Sequence, residues 1–211
     1  DGRGDALVSQ AHTVGAAIAN DVTKLFLPPI LMEYEAMFVP PFVLLKKKKY
    51  FGRRYELGRE PRTYTKGVEM VRRDFCPLVT NTQKEMINMI LNGRIEESVA
   101  FCQRVVNETQ RGKKAYTAFV LTKKLTKHPN DYQSKSIHVE LAKRLGLRVG
   151  ERVEYLVRKG TGRLYGRGIT VSEANDGRYE LDYDYYVDSL KKVLNRILSV
   201  VTGRKDVFLR R

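Results

Sequence analysis

From Leu7 onward, apolar residues return at steps of three and four, through Ala11, Val14, Ile18, Val22 and Leu25. Such spacing draws one apolar stripe along an α-helix, whose turn takes about 3.6 residues. Pro28 and Pro29 close it, because proline has no amide hydrogen to donate and clashes with the preceding turn. The period then changes. Ile30, Met32, Tyr34 and Phe38 fall on one side of an alternation and Glu33 and Glu35 on the other, which predicts a half-buried strand from Ile30 to Phe38. Pro40-Pro41 predicts a turn, and Phe42 to Leu45 predicts a second strand running into Lys46-Lys47-Lys48-Lys49-Tyr50. A third strand or turn is expected from Gly52 to Thr65, carrying Arg53, Arg54, Arg59 and Arg62. A helix beside antiparallel strands is an α+β layer.

Past Pro77 the pattern turns helical. Met86, Ile87, Ile90 and Leu91 precede Asn92-Gly93, a helix stop, and Ile95, Val99, Cys102, Val105 and Val106 mark a second helix ending near Gly112. Tyr116 to Leu121 predicts a short strand, and His128-Pro129-Asn130-Asp131 a turn. A basic helix is expected from Ser136 to Leu145, closed by Gly146, with Val139 and Leu141 inward. Val153, Tyr155 and Val157 alternate as a strand before a Gly160-Thr161-Gly162 turn, and a last helix spans Asp184 to Val200. The change of period near residues 66–80 divides the chain into two blocks, 1–75 and 76–211.

Composition adds a charge to this outline. The 211 residues hold 39 Lys and Arg against 24 Asp and Glu, a formal charge of +15 and a pI near 9.8. An excess of that size points to an anionic partner, nucleic acid above all; the competing reading is charge that serves only solubility. The two cysteines, Cys76 and Cys102, cannot build a multi-bridge framework, and nothing resembles a signal peptide. No apolar run approaches the roughly 20 residues a bilayer span needs. These features predict a cytoplasmic protein without a membrane partner. With no Cys-x-x-Cys and with His12, His128 and His138 scattered, no zinc site is expected.

Three clusters could carry chemistry. In the lysine run, strand alternation would put Lys48 and Tyr50 on one face and Lys47 and Lys49 on the other. An ammonium beside a ring suits a nucleic-acid groove, whereas a bare lysine run can also be an edge strand guarded against aggregation. Arg72-Arg73-Asp74 could fork a phosphate or form an ordinary surface ion pair. Lys123, Lys124, Lys127, His128, Tyr132, Lys135 and His138 gather in a turn-rich stretch entering a helix N-terminus, a setting that favours phosphate. Glu33 and Glu35 are the one tidy carboxylate pair of the first block, expected to pair with neighbouring lysines. No Ser-His-Asp order, HExxH, Walker A or GxGxxG is present, so the chain offers no self-contained active site.

In this order, the clusters resemble family B DNA polymerases, the archaeal enzymes most closely. Glu33-Tyr34-Glu35 is similar to the family's L-E-Y/F-E strand and Lys47-Lys48-Lys49-Tyr50 to its K-K-x-Y motif. Lys66-Gly67-Val68-Glu69-Met70-Val71-Arg72-Arg73-Asp74 is similar to (K/R)-G-x-E-x-V-R-R-D. Asp131-Tyr132 through Ile137-His138-Val139-Glu140-Leu141-Ala142-Lys143-Arg144 is similar to D-Y…P-H-V-x-x-A-K-R, and Lys159-Gly160-Thr161-Gly162-Arg163 to K-G-(S/T)-G-R. Asp184-Tyr185-Tyr186-Val187 to Arg196-Ile197-Leu198 is similar to the closing D-x-x-Y-Y-(I/V)…R-I-L helix. Each motif is weak alone; their common order is specific.

The resemblance implies an α+β fold: a partial palm of helix and antiparallel strands over 1–75, then a mostly helical thumb over 76–211. Lys47, Lys48 and Tyr50 would touch primer–template DNA, Lys48 in the minor groove. Arg72, Arg73 and Lys66 would hold primer phosphates, and Lys123, Tyr132, Lys135 and His138 would line the thumb surface. The family's metal-binding G-D-T-D-S turn is expected just before the first helix. Gly2-Arg3-Gly4-Asp5-Ala6 aligns with it only through Asp5 and leaves the next segment too short, so the turn is expected upstream or lost. Mg2+ is then expected in an assembled polymerase and not on this chain alone. The expected partners are primer–template DNA and a larger subunit bearing exonuclease, fingers and the remaining palm, with any sliding clamp reached through that complex. The expected location is cytoplasmic and nucleoid-associated.

Overall fold

A computed structural model describes residues 2–69 and 75–209. It is α+β and divides into two compact units: 1–68 with 90–93, and 69–89 with 94–211.

The first unit opens with helix α1 (Gly2–Thr23). The face that packs is not the one carrying the large apolar residues. Leu7, Val14 and Ile18 are each more than half exposed, while Ala11, Gly15 and Ala19 turn toward the chain that follows. Tyr34 explains the choice: a Cβ on Gly15 would stand 2.3 Å from the Tyr34 ring, so only glycine admits it. The same ring meets His12 edge-on at 4.9 Å. The expected strand from Ile30 to Phe38 is therefore mostly absent. Residues 30–36 run irregularly along α1, tied by the Met32 amide donating to Thr23 Oγ1 at 2.9 Å. Alternation was present there, but no neighbouring strand supplies a ladder.

Strands β1 (Met37–Lys46), β2 (Lys49–Glu56) and β3 (Arg59–Lys66) form an antiparallel sheet in that order. Pro40-Pro41 is not a turn between strands. It lies inside β1, where pairing with β2 is interrupted between Val39 and Val43. Prolines cannot donate to a ladder, and an irregularity on an edge strand is where a sheet tolerates them. Val43, Phe51 and Val68 are buried in this unit, and burying a side chain such as Phe51 stabilises by about 1.5–3 kcal/mol.

The second unit is built on α2 (Pro77–Leu91), α3 (Ile95–Gln110), α4 (Ile137–Leu145), the short α5 (Val171–Asn175) and α6 (Tyr183–Thr202). It also holds an antiparallel sheet of β4 (Leu121–Lys124), β5 (Arg152–Val157) and β6 (Gly168–Ile169). The expected strand at Tyr116–Leu121 is instead a 3-10 turn, Tyr116–Phe119, leading into β4. Its turn drives Phe119, fully buried, onto the Tyr186 ring at 4.8 Å. Helix α6 packs along α3 and contributes Leu190, Leu194, Ile197 and Leu198, all buried at helical spacing. Asp182 caps it, accepting from the Tyr185 amide at 3.0 Å, and Gly203 closes it in the left-handed conformation. Among the described residues, no helix is long and apolar enough to cross a membrane.

Candidate nucleic-acid interface

In the first unit the lysine run is a turn. β1 ends at Lys46, β2 begins at Lys49, and Lys47-Lys48 join them, with Lys48 in the left-handed conformation at φ 64°. The expected sharing of a strand face by Lys48 and Tyr50 is overturned, because turn residues do not alternate. The turn is held from beneath: a Cβ on Gly67 would stand 2.5 Å from the Lys48 carbonyl oxygen, and Gly67 itself has φ +66°. Lys46, Lys47 and Lys48 make no ion pair among the described residues. Four like charges on one tight hairpin repel one another, and a polyanion relieves that repulsion.

Tyr50 gains a different basic neighbour. Across the ladder it faces Lys66, and on the same face of the sheet Gly52 faces Tyr64 and Arg54 faces Arg62. Phe38 and Phe42 close over Gly52, where a Cβ would come within 3.0 Å of both rings. The result is a four-ring cluster: Phe42–Tyr50 at 5.4 Å, Phe38–Phe42 at 5.1 Å, Phe38–Tyr64 at 5.8 Å and Tyr50–Tyr64 stacked at 6.2 Å. None of the four rings is buried. Arg54 lies over Tyr64 at 4.9 Å and also pairs with Glu56 at 3.0 Å, so it braces the cluster. A partly exposed aromatic surface bordered by lysines can pack on sugars and bases while the ammonium groups reach phosphates. The sequence marked Tyr50 but not Phe38, Phe42 or Tyr64; those rings meet only through strand register.

Arg72 and Arg73 lie outside the described residues, as does the Asp5 side chain. Glu69 is the last described residue before them. Its buried carboxylate pairs with Arg196 of α6 and accepts from Gln83 Nε2 of α2 at 3.2 Å, all within the second unit.

The second unit brings its predicted residues together in one place. The Tyr132 ring meets the His138 ring edge-on at 5.9 Å, and Tyr132 Oη accepts from the Thr126 amide at 2.9 Å. The bond with the Thr126 hydroxyl, and then the one from its amide, lower the phenol's pKa and hold the basic loop in shape. Ser136 precedes α4 but its hydroxyl turns to His138 Nδ1 at 3.1 Å, so the helix amides are not capped by it. Partial burial, and then the charge of Lys123, keep the His138 imidazole below its usual pKa. Lys135 lies 5.5 Å above the Tyr165 ring, a contact between residues far apart in sequence.

Among the described residues the carboxylates form no metal site. Glu33 and Glu35 are exposed on the irregular segment, and Glu35 lies 3.7 Å from Arg54, not beside a lysine. Among the described residues no group of three or more His, Cys, Asp and Glu could hold a metal ion. Buried Cys102 is pushed up to about 12 by desolvation, and Cys76 is raised by the same cause, so neither is a reactive thiolate.

Comparison with known proteins completes the description. Residues 4–201 match the model of DNA polymerase family B. The chain is 32% identical over 210 residues to the DNA polymerase delta catalytic subunit of Plasmodium falciparum, covering 94% of this chain and 19% of that protein. It is 30% identical over 188 residues to a DNA polymerase of Thermococcus sp. (strain 9oN-7), covering 85% of this chain and 24% of the relative. Eukaryotic and archaeal enzymes thus stand at similar distance. The structure of the family B DNA polymerase from the hyperthermophilic archaeon Pyrobaculum calidifontis superposes with a TM-score of 0.60 over 75% of this chain and 21% of that one, at 24% identity. The chain spans about a fifth of the length of the first of these relatives.

Proposed function

Because this chain belongs to DNA polymerase family B, we propose that it is the polymerase portion that grips primer–template duplex, with residues 1–75 as the last part of the palm and 76–211 as the thumb. The observation that carries this reading is the hairpin. It presents Lys46, Lys47 and Lys48 without ion-pair partners among the described residues, beside partly exposed Tyr50, where the family's K-K-x-Y motif falls. Lys66 and the unit 2 cluster of Lys123, Tyr132, Lys135 and His138 add cations and rings of the same kind. Phosphate and groove contacts of this sort grip without choosing sequence.

Nucleotidyl transfer is assigned to the assembly. The metal-binding aspartates, and the Mg2+ they hold, belong in this proposal to a larger polymerase subunit carrying exonuclease, fingers and the remaining palm. Primer extension tests it: the chain alone should extend nothing, and the chain mixed with that portion should extend a primer. Extension by the lone chain, or no gain in the mixture with duplex binding intact, would overturn the split-enzyme reading and leave a duplex clamp.

A further inference from the structure

The first turns of α2, one side of α3 and the stretch from Lys114 to Ala118 enclose a cavity of about 560 Å³ within the second unit. It shares no residue with the basic clusters described above. Leu78 of α2 and Val105 of α3, both buried, form its floor, and Pro77 and Phe101 stand beside them. Phe101 and Val105 are four apart and so share one face of α3. Ala118 is too small to fill the space between the helices. Two polar side chains of the lining, Asn81 and Thr117, have no hydrogen-bond partner among the described residues. The Thr82 hydroxyl, by contrast, is spent on the Leu78 carbonyl at 2.6 Å.

The charge around this apolar interior has one sign in excess. Lys114 lines the cavity and no carboxylate does. Glu108, outside the lining, pairs with Lys114 at 2.6 Å. That one carboxylate answers three cations: its pKa is lowered by the hydrogen bond with Lys114 first, and then by the charges of Lys114, Arg104 and Lys113. Arg104 and Lys113 make no ion pair among the described residues, and Arg104 leans on the Phe101 ring at 5.7 Å. A duplex would answer the charge but leave the floor of Leu78 and Val105 uncovered, because its outer strands are polar and its bases are paired inward. A peptide with a large apolar side chain between carboxylates answers both features. Its main chain also offers the donors and acceptors that the Asn81 carboxamide and the Thr117 hydroxyl match.

We propose that the cavity between α2, α3 and Ala118 docks an acidic segment of a partner protein, seated by a large apolar side chain. The inference stands apart from the duplex-binding reading, since its test needs no DNA to bind. The full 15N-labelled chain is titrated with a synthetic peptide carrying a Leu-Phe pair between aspartates. The Asn81, Phe101 and Thr117 amide resonances should move. Replacing Leu-Phe by Ser-Ser should weaken binding by more than about tenfold. Lys114→Gln, on the rim, should weaken it by about threefold. Ala118→Leu narrows the cavity and should weaken the peptide too; if that variant fails to fold, Lys114→Gln decides alone. Unmoved amides at the cavity, equal binding of the Ser-Ser peptide, or full affinity in Lys114→Gln each overturns the docking site. If a short duplex moves these amides and the peptide does not, the cavity belongs to nucleic acid and the proposal falls.

Discussion

Tyr50 and Tyr186 sit in opposite situations, and the difference runs through their whole units. Tyr50 belongs to a cluster of rings on an open sheet face, each left partly accessible. Tyr186 is 1% exposed, with Phe119 at 4.8 Å, and its hydroxyl accepts from the Val157 amide at 2.9 Å. Burial pushes that phenol's pKa far up, so it stays neutral. Of the eighteen large apolar residues exposed among the described ones, twelve lie in the first unit, including Leu7, Val14, Ile18 and the stretch around Leu25 to Met32. A helix that turns its large residues outward leaves a surface suited to covering by another piece of protein. The second unit closes its own core; the first leaves more of its large apolar residues uncovered.

The comparison breaks first in the cores. Leu190→Ala in α6 should cost about 2–5 kcal/mol in denaturant unfolding, since it hollows a closed interior. Ile18→Ala should shift stability of the isolated chain by less than about 0.5 kcal/mol and instead weaken binding to the larger polymerase portion. An equal loss of stability in both would remove the contrast. Next, Glu69→Ala strands Gln83 and frees Arg196, and should cost about 1–3 kcal/mol by thermal melting; a neutral result would deny this carboxylate its anchoring role.

Surface chemistry gives smaller effects. Lys48→Ala should reduce the salt slope of duplex binding by about 0.9 whatever the base sequence, and Arg73→Ala by the same amount. Titrations at several salt concentrations measure both. Finally, His138 is held below the ordinary value of 6.5. As pH falls, the unfolded chain takes the proton first, so this group lowers stability as pH drops from the unfolded pKa toward the folded one. Phosphates arriving beside the ring would raise its pKa, and duplex affinity should then climb as pH falls from about 7.5 to about 5.5. His138→Gln should flatten that climb; an unflattened profile would take the imidazole out of the duplex contact.

Helices were legible in the sequence because their periodicity and stops are local. Met86 to Leu91 before Asn92-Gly93, and Val139 and Leu141 before Gly146, specify α2 and α4 from neighbours alone. The Ile30–Phe38 alternation misled, since a strand exists only beside a partner and Tyr34 found α1 instead.

Sequence by itself determined the family, the charge excess, the helical half and the identity of Lys48, Tyr50, Tyr132 and His138 as candidate contacts. Only the tertiary structure decided that the lysines form a turn, that Lys66 faces Tyr50, that Phe38, Phe42 and Tyr64 join it, and that Lys135 meets Tyr165. The reason is range. A helix records its own neighbours three and four residues away, whereas a sheet face and a pocket are made by residues whose adjacency depends on register and packing across the fold.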